Sequence, residues 1–175
     1  MYYFEIKSFL KEHSHIEQIY QEFHSKSHIC QNKVGVSFPY QNNGILNSIR
    51  FFSNDVDILR SLKLSEVFLD LSDNDCFLVT NIKEVPENAI PLQLKRCRVD
   101  NTFKFKKQKT GSLISTKNIF KDGEVKEVFY LKIHSQSTNQ MFSIFYTYNK
   151  VEDNKNLGLF SSYGFSKDNS YVYHF

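Results

Sequence analysis

The sequence predicts an α+β protein, and three observations carry that expectation. Apolar residues recur at helical spacing in two places, at Ile16, Ile19, Tyr20 and Phe23 and again at Val56, Leu59 and Leu62. Around them lie short runs rich in Val, Ile, Phe and Tyr bounded by turn formers, which is the pattern of strands. Beyond Pro91 the helical period fades and only such strand-like runs remain.

Each element follows in order. Tyr2 to Leu10 is aromatic and β-branched enough for a first strand. Ser14 and Glu17 form an S-x-x-E pair, a capping box that predicts a helix from about His15 to Gln31. Val34 to Phe38 reads as a strand stopped by Pro39, and the Asn43-Gly44 turn leads into another at Ser48 to Ser53. Asn54 is placed to cap a second helix that turns Val56, Leu59 and Leu62 inward, and Cys76 to Ile82 is a further strand. The order β-α-β-β-α-β is the ferredoxin-like pattern, shared with RNA-recognition folds of the RRM type. It hosts many unrelated functions and licenses none by itself. Phe129 to Ile133, Phe142 to Tyr148, Gly158 to Ser162 and Tyr171 to Phe175 then predict a second, strand-rich lobe, with turns at Asp122-Gly123 and Asn154 to Asn156. The expected division is a ferredoxin-like half over residues 1–90 and a C-terminal lobe over residues 91–175.

Composition narrows the function classes. With 41% hydrophobic residues, no Trp and few Gly or Pro, the 175-residue chain is a folded protein and not a low-complexity linker. No stretch approaches the roughly 18 apolar residues of a membrane span, and Met-Tyr-Tyr-Phe-Glu lacks the basic-then-apolar pattern of a signal peptide, so no membrane partner and a cytoplasmic location are expected. Cys30, Cys76 and Cys97 are too far apart for a disulfide framework or a Cys-x-x-Cys zinc site, and read as small core residues. The formal charge of +3 is unevenly spread: Lys95 to Lys109, KRCRVDNTFKFKKQK, carries a net +6, so the rest of the chain is net negative. That patch holds Arg96, Arg98, Lys104, Lys106, Lys107 and Lys109 with Phe103 and Phe105 between them. On an extended segment Arg96 and Arg98 share a face, where two guanidinium forks match the O6 and N7 acceptors of guanines, while the lysines match phosphates. A solvated edge strand accounts for the same charges.

Of six histidines, His24 is the most suggestive, one turn after Tyr20 and at the edge of the apolar stripe, where a general base or a structural histidine are both consistent. His28 lies one turn further on, but no third ligand accompanies the pair and no metal is expected. Asp70, Asp73 and Asp75 fall in DLSDND, a setting of turn formers that reads as a solvated loop. The stretch HSQSTNQMF at His134 to Phe142 gathers hydroxyls and amides at a strand end, where unpaired polar groups cost roughly 1–3 kcal/mol each when dried, so a polar partner is expected to dock there.

Three separated motifs, VGVSFP at Val34 to Pro39, HSQSTNQMF at His134 to Phe142 and SSYGFSK at Ser161 to Lys167, resemble those of the CRISPR repeat-processing endoribonucleases of subtype I-F, the compact Csy-type branch of the Cas-six superfamily. The resemblance implies cleavage at the base of a CRISPR repeat hairpin without metal or cofactor, leaving a 2′,3′-cyclic phosphate and a 5′-hydroxyl, and retention of the product within a type I-F interference complex with other subunits. Carried over by motif, it implies a general base at His24, with His28 in reserve, a ribose-orienting serine at Ser135, and the second serine of the motif at Ser137. It also implies RNA contact by Gln136, a base-pair stacking aromatic at Phe142, a tyrosine that holds the histidine at Tyr163, and base reading by Arg96 and Arg98. Thr102 to Lys117 has no arginine, so phosphate contact there rests on Lys104, Lys106, Lys107 and Lys109. The alternative is a cap of the same ancestry that binds the hairpin without cutting it; an unrelated ferredoxin-like regulatory protein leaves the serine motif and the basic patch without a role.

Overall fold

The computed structural model describes residues 1–10, 13–39, 46–97, 116–119, 125–135, 139–151, 158–167 and 169–175. The predicted α+β class is what is found. The chain runs β1 (Tyr2–Ser8), α1 (His13–Ser25), α2 (Ser27–Cys30), β2 (Gly35–Ser37), β3 (Ser48–Ser53), α3 (Val56–Lys63), α4 (Glu66–Ser72), β4 (Phe77–Val79) and β5 (Lys83–Glu84). It continues with β6 (Ile90–Cys97), β7 (Thr116–Ile119), β8 (Val125–Ser135), β9 (Gln140–Lys150) and β10 (Val172–His174).

The first sheet has the order β2-β3-β1-β4, with antiparallel pairs throughout and β5 also on β1. That is the ferredoxin-like arrangement the sequence pattern calls for. All six residues of β3 are buried because the sheet is covered on both faces. Val36, Phe51, Phe4, Ile49 and Ile6 line one face by register, where α1, α3 and α4 contribute Phe23, Leu59, Leu62 and Phe68. On the other face Gly35, Phe52 and Tyr3 meet the end of the chain. A Cβ on Gly35 would stand 2.4 Å from Phe160 Cε1, and Phe175 lies edge-on to Tyr3 at 5.0 Å.

The second sheet is ordered β10-β6-β9-β8-β7, all antiparallel. Leu94, Tyr146, Phe129, Ile144, Leu131 and Ile133 are buried on one of its faces and join the same apolar core as the first sheet. Tyr148 on β9 reaches across, its hydroxyl accepting from Phe38 N at 2.9 Å and donating to Phe38 O at 3.3 Å. Burial pushes that hydroxyl's pKa up, so it remains a donor.

Several expectations shift in detail. The helix expected from His15 to Gln31 begins at His13 and breaks at Lys26, whose φ −92° and ψ 13° interrupt it; Gln31 and Asn32 then take left-handed φ of 46° and 58°. Ser14 therefore lies inside the helix instead of ahead of it, and Glu17 is spent on another partner. Asp55, not Asn54, caps α3, accepting from Asp57 N and Ile58 N; Asn54 lies one residue too early. Asp70 sits on α4, Asp73 caps it, and both are exposed, as is Asp75. Gly158 to Ser162 makes a single bridge, Phe160 to Ser166, in place of a strand, because the chain turns back at Gly164. Cys30 is buried, with its thiol pushed up to about 12, and Cys97 is half-buried with its thiol pushed up to about 11, in both cases by burial. The Asp122-Gly123 and Asn154 to Asn156 turns lie outside the described residues.

Arg50 is the one charged residue that β3 buries among those described. Its Nε donates to Glu5 Oε2 at 3.1 Å across the β1–β3 pair, its Nη1 donates to Phe175 O at 2.9 Å, and its guanidinium lies 3.9 Å over the Phe175 ring. The side chains of Arg50 and Glu5 are only 10% and 20% exposed. Arg50→Met strands the Glu5 carboxylate and should lower the unfolding free energy by about 3 kcal/mol in urea titration. Adding Glu5→Gln should recover part of that loss, and an equal loss in single and double variants contradicts this account.

Candidate active site

A turn near the C-terminus gathers the site. Residues 160–166 fold tightly on themselves: Ser161 N donates to Phe165 O at 2.8 Å, Phe165 N to Ser161 Oγ at 3.1 Å, and Gly164 N to Ser161 O at 2.8 Å. Three successive carbonyls of this turn are then used outward. Ser162 O lies 3.2 Å from His24 Nδ1, Tyr163 O accepts from Tyr20 Oη at 2.9 Å, and Gly164 O accepts from Val36 N at 3.0 Å. On the far side Ser166 clasps β6, its N donating to Leu94 O at 2.8 Å and its Oγ accepting from Leu94 N at 3.0 Å.

His24, on the last turn of α1 and half-buried, is thereby oriented twice. Its ring stacks on Tyr163 with centroids 4.3 Å apart and planes 24° from parallel. A carbonyl oxygen can only accept, so the bond to Ser162 O assigns the proton of the neutral imidazole to Nδ1 and leaves Nε2 as its acceptor. Tyr163 stacks in turn near the buried Phe165, and the Arg96 guanidinium lies 5.7 Å from the Tyr163 ring centroid, within cation–π range. Tyr20 is fully buried, and its hydroxyl pKa is pushed well above the usual value, first by burial and then by Tyr163, with Arg96 opposing. It stays protonated and donates.

Arg96 lies on β6 opposite Tyr146 of β9, and so on the sheet face that bears the core and the turn. Phe142, half-buried, pairs with Ile133 on the same face. The backbone of Ser135 pairs with Gln140 at the end of the β8–β9 hairpin, immediately after His134. His28 is exposed on α2. Gln136, Ser137, Arg98, Lys104, Lys106, Lys107 and Lys109 lie outside the described residues. Among the described residues no group of three His, Cys, Asp or Glu could hold a metal ion, and no helix is long and apolar enough to cross a membrane.

The sequence reading missed Tyr20, Glu17, Gln21 and the Ser162 carbonyl. Glu17 Oε1 accepts from Lys132 N at 2.7 Å and Gln21 Oε1 from His134 N at 3.2 Å, so α1 is bonded along β8. Burial pushes the Glu17 carboxyl up, opposed by the Lys132 N–H and the Lys132 charge. Glu17, Gln21 and His24, at i, i+4 and i+7, form a polar stripe beside the apolar one, and that spacing is the signal that could have found them.

The family model for CRISPR-associated protein (Cas_Csy4) matches residues 3–175, both sheets and the turn included. The chain belongs to the Csy4 family. It is thus a CRISPR-associated repeat-processing protein of subtype I-F. A search of curated proteins finds no match to it. In this Csy4-family chain the motif SSYGFSK is the turn itself, and VGVSFP is the strand that the turn's Gly164 carbonyl holds through Val36 N.

Gly164 is required there for two reasons. Its φ is +71°, and a Cβ would lie 2.8 Å from Val36 Cγ1 and 3.0 Å from Phe23 Cε1. Gly158 also has positive φ, +66°, but among the described residues a Cβ there meets only Asn54 Nδ2, at 3.1 Å. Gly158→Ala should cost about 1 kcal/mol of unfolding free energy for the backbone alone, whereas Gly164→Ala should cost a further 1–3 kcal/mol for crowding. Equal losses in urea titration contradict the packing described.

Proposed function

We propose that the protein is a metal-independent endoribonuclease that recognises the stem-loop of CRISPR repeat RNA and cuts at the base of the stem. The observation that carries this reading is the doubly oriented His24, with Nδ1 on the Ser162 carbonyl, its ring on Tyr163 and Nε2 left as the acceptor. In the proposed reaction Nε2 takes the proton of a ribose 2′-hydroxyl held by Ser135 and Ser137. The 2′-oxygen bonds to the adjacent phosphorus, the bond from phosphorus to the 5′-oxygen breaks, and that oxygen is protonated, giving a 2′,3′-cyclic phosphate and a 5′-hydroxyl. The nucleophile is already tethered beside the phosphate, so orientation supplies much of the acceleration. General-base help contributes typically 10²- to 10⁴-fold.

Arg96 beside Tyr163 supports base reading next to the cut, since its fork matches guanine O6 and N7. In the same reading Arg98 and Gln136 contact the RNA, Phe142 stacks on the last base pair, and Lys104, Lys106, Lys107 and Lys109 take phosphates. Residues 91–175 act as the hairpin-binding lobe. The mature guide RNA then stays bound, with other subunits of a type I-F interference complex as partners, in the cytoplasm.

The test is incubation with the host's own repeat RNA in EDTA. Cleavage should persist, a single 2′-deoxy substitution just upstream of the cut should abolish it, and His24→Ala should lower the single-turnover rate by at least about 10²-fold with hairpin affinity nearly unchanged. His28→Ala should cut normally. Binding without cleavage by the native protein supports the capping alternative, and loss of cleavage in EDTA or cutting of the deoxy substrate overturns the mechanism.

A further inference from the structure

Strand β8 pairs with β9 along one edge, but its other edge is covered by β7 only over Val125 to Val128. Further along that edge, N–H groups are met by a helix. Lys132 N donates to Glu17 Oε1 and His134 N to Gln21 Oε1. The spacings are commensurate: four residues of helix rise about 6 Å, and two residues of strand about 6.6 Å. Side chains one turn apart on α1 therefore act as successive rungs against alternate residues of β8. An exposed strand edge needs some cover, yet covering it with two side-chain acceptors at matched spacing also fixes how far along the strand the helix sits. A shift of one turn would break both bonds and could remake only one, Gln21 to Lys132 N or Glu17 to His134 N, so the pair together favours a single register.

The ladder runs toward the proposed reaction centre. On the helix the order is Glu17, Gln21, His24; on the strand it is Lys132, His134, Ser135. The turn at 160–166 holds His24 through Ser162 O, so α1 is referred to two independent elements, the turn through His24 and β8 through Glu17 and Gln21.

We propose that Glu17 and Gln21 are positioning residues for RNA cleavage: they index α1 against β8, and so set the His24 imidazole relative to the Ser135 end of the hairpin. This rests on the endoribonuclease reading above. Neither residue is proposed to touch RNA. What matters in each is an oxygen acceptor of the right length, so charge is dispensable at Glu17 and an amide serves as well as a carboxylate.

The experiment measures single-turnover cleavage at saturating protein, together with hairpin affinity, for Gln21→Leu, Glu17→Leu, the double variant and Glu17→Gln, each also in a His24→Ala background. Leu keeps helix propensity and removes the acceptor. The double variant should cleave roughly 10- to 100-fold more slowly, the scale of a misplaced catalytic group, with affinity within about twofold of native. Glu17→Gln should cleave at close to the native rate. In the His24→Ala background the Leu substitutions should add no further loss, because there is no imidazole left to position. A native rate in the Leu variants, an equal loss in both backgrounds, or a loss confined to affinity overturns the proposal. If the double variant does not fold, Gln21→Leu, which leaves the Glu17 rung in place, decides by the same criteria. Failure of the native protein to cleave at all removes the endoribonuclease reading and this inference with it; normal cleavage by the Leu variants removes only the inference.

Discussion

Everything at the site depends on three consecutive backbone carbonyls pointing into different parts of the protein. Ser162, Tyr163 and Gly164 give their oxygens to α1 twice and to β2 once, while Ser166 next to them is bonded in both directions to β6. Gly164 is buried, and a buried backbone acceptor must be paired; across the three carbonyls the pairing does more than satisfy that need. It joins a helix of the first sheet's layer, the edge of that sheet and a strand of the second sheet through one seven-residue turn. Only a residue tolerant of positive φ and lacking a Cβ can occupy Gly164, where Val36 and Phe23 already fill the space.

The aromatic packing follows from that constraint. Tyr20 stacks with Phe165 at 6.2 Å and meets Phe38 edge-on at 5.6 Å, and Tyr146 lies 5.3 Å from Phe38 and 6.0 Å from Phe165. Residues from α1, β9, the segment after β2 and the turn thus share one cluster, which gives the turn a rigid floor. Above it the stack opens from the buried Phe165 to the half-buried Tyr163 and His24, with Arg96 at the side. The His24 imidazole on this stack has its plane fixed by Tyr163 and its proton fixed by Ser162. A second reference for the helix that carries it comes from α1's bonds to β8 through Glu17 and Gln21.

Much of this was legible in the chain. The ferredoxin-like order came from period and punctuation, because aromatic and apolar runs at 2–10 and 48–53, bounded by turn formers, and helical spacing at 16–23 reflect burial between the layers. His24 and Tyr163 were reached through motifs and lie in contact. Other features were hidden for physical reasons. The S-x-x-E pair is a local signal, and Glu17 was captured by a distant N–H at Lys132 instead. Asn54 and Asp55 are adjacent cap formers, and which one caps depends on where β3 releases the chain. Strand β6 is masked in sequence by its charges, since Lys95 and Arg96 read as patch before they read as strand. The outward carbonyls of the turn leave no mark on side-chain pattern at all.

The central claim is that the Ser162 carbonyl dictates the state of His24. Two-bond proton–nitrogen correlation spectra of histidine-labelled protein, at a pH where the imidazole is neutral, test it most directly. The account predicts that His24 carries its proton on Nδ1, with Nε2 bare. A neutral His24 protonated on Nε2, or an even mixture of the two tautomers, would contradict it.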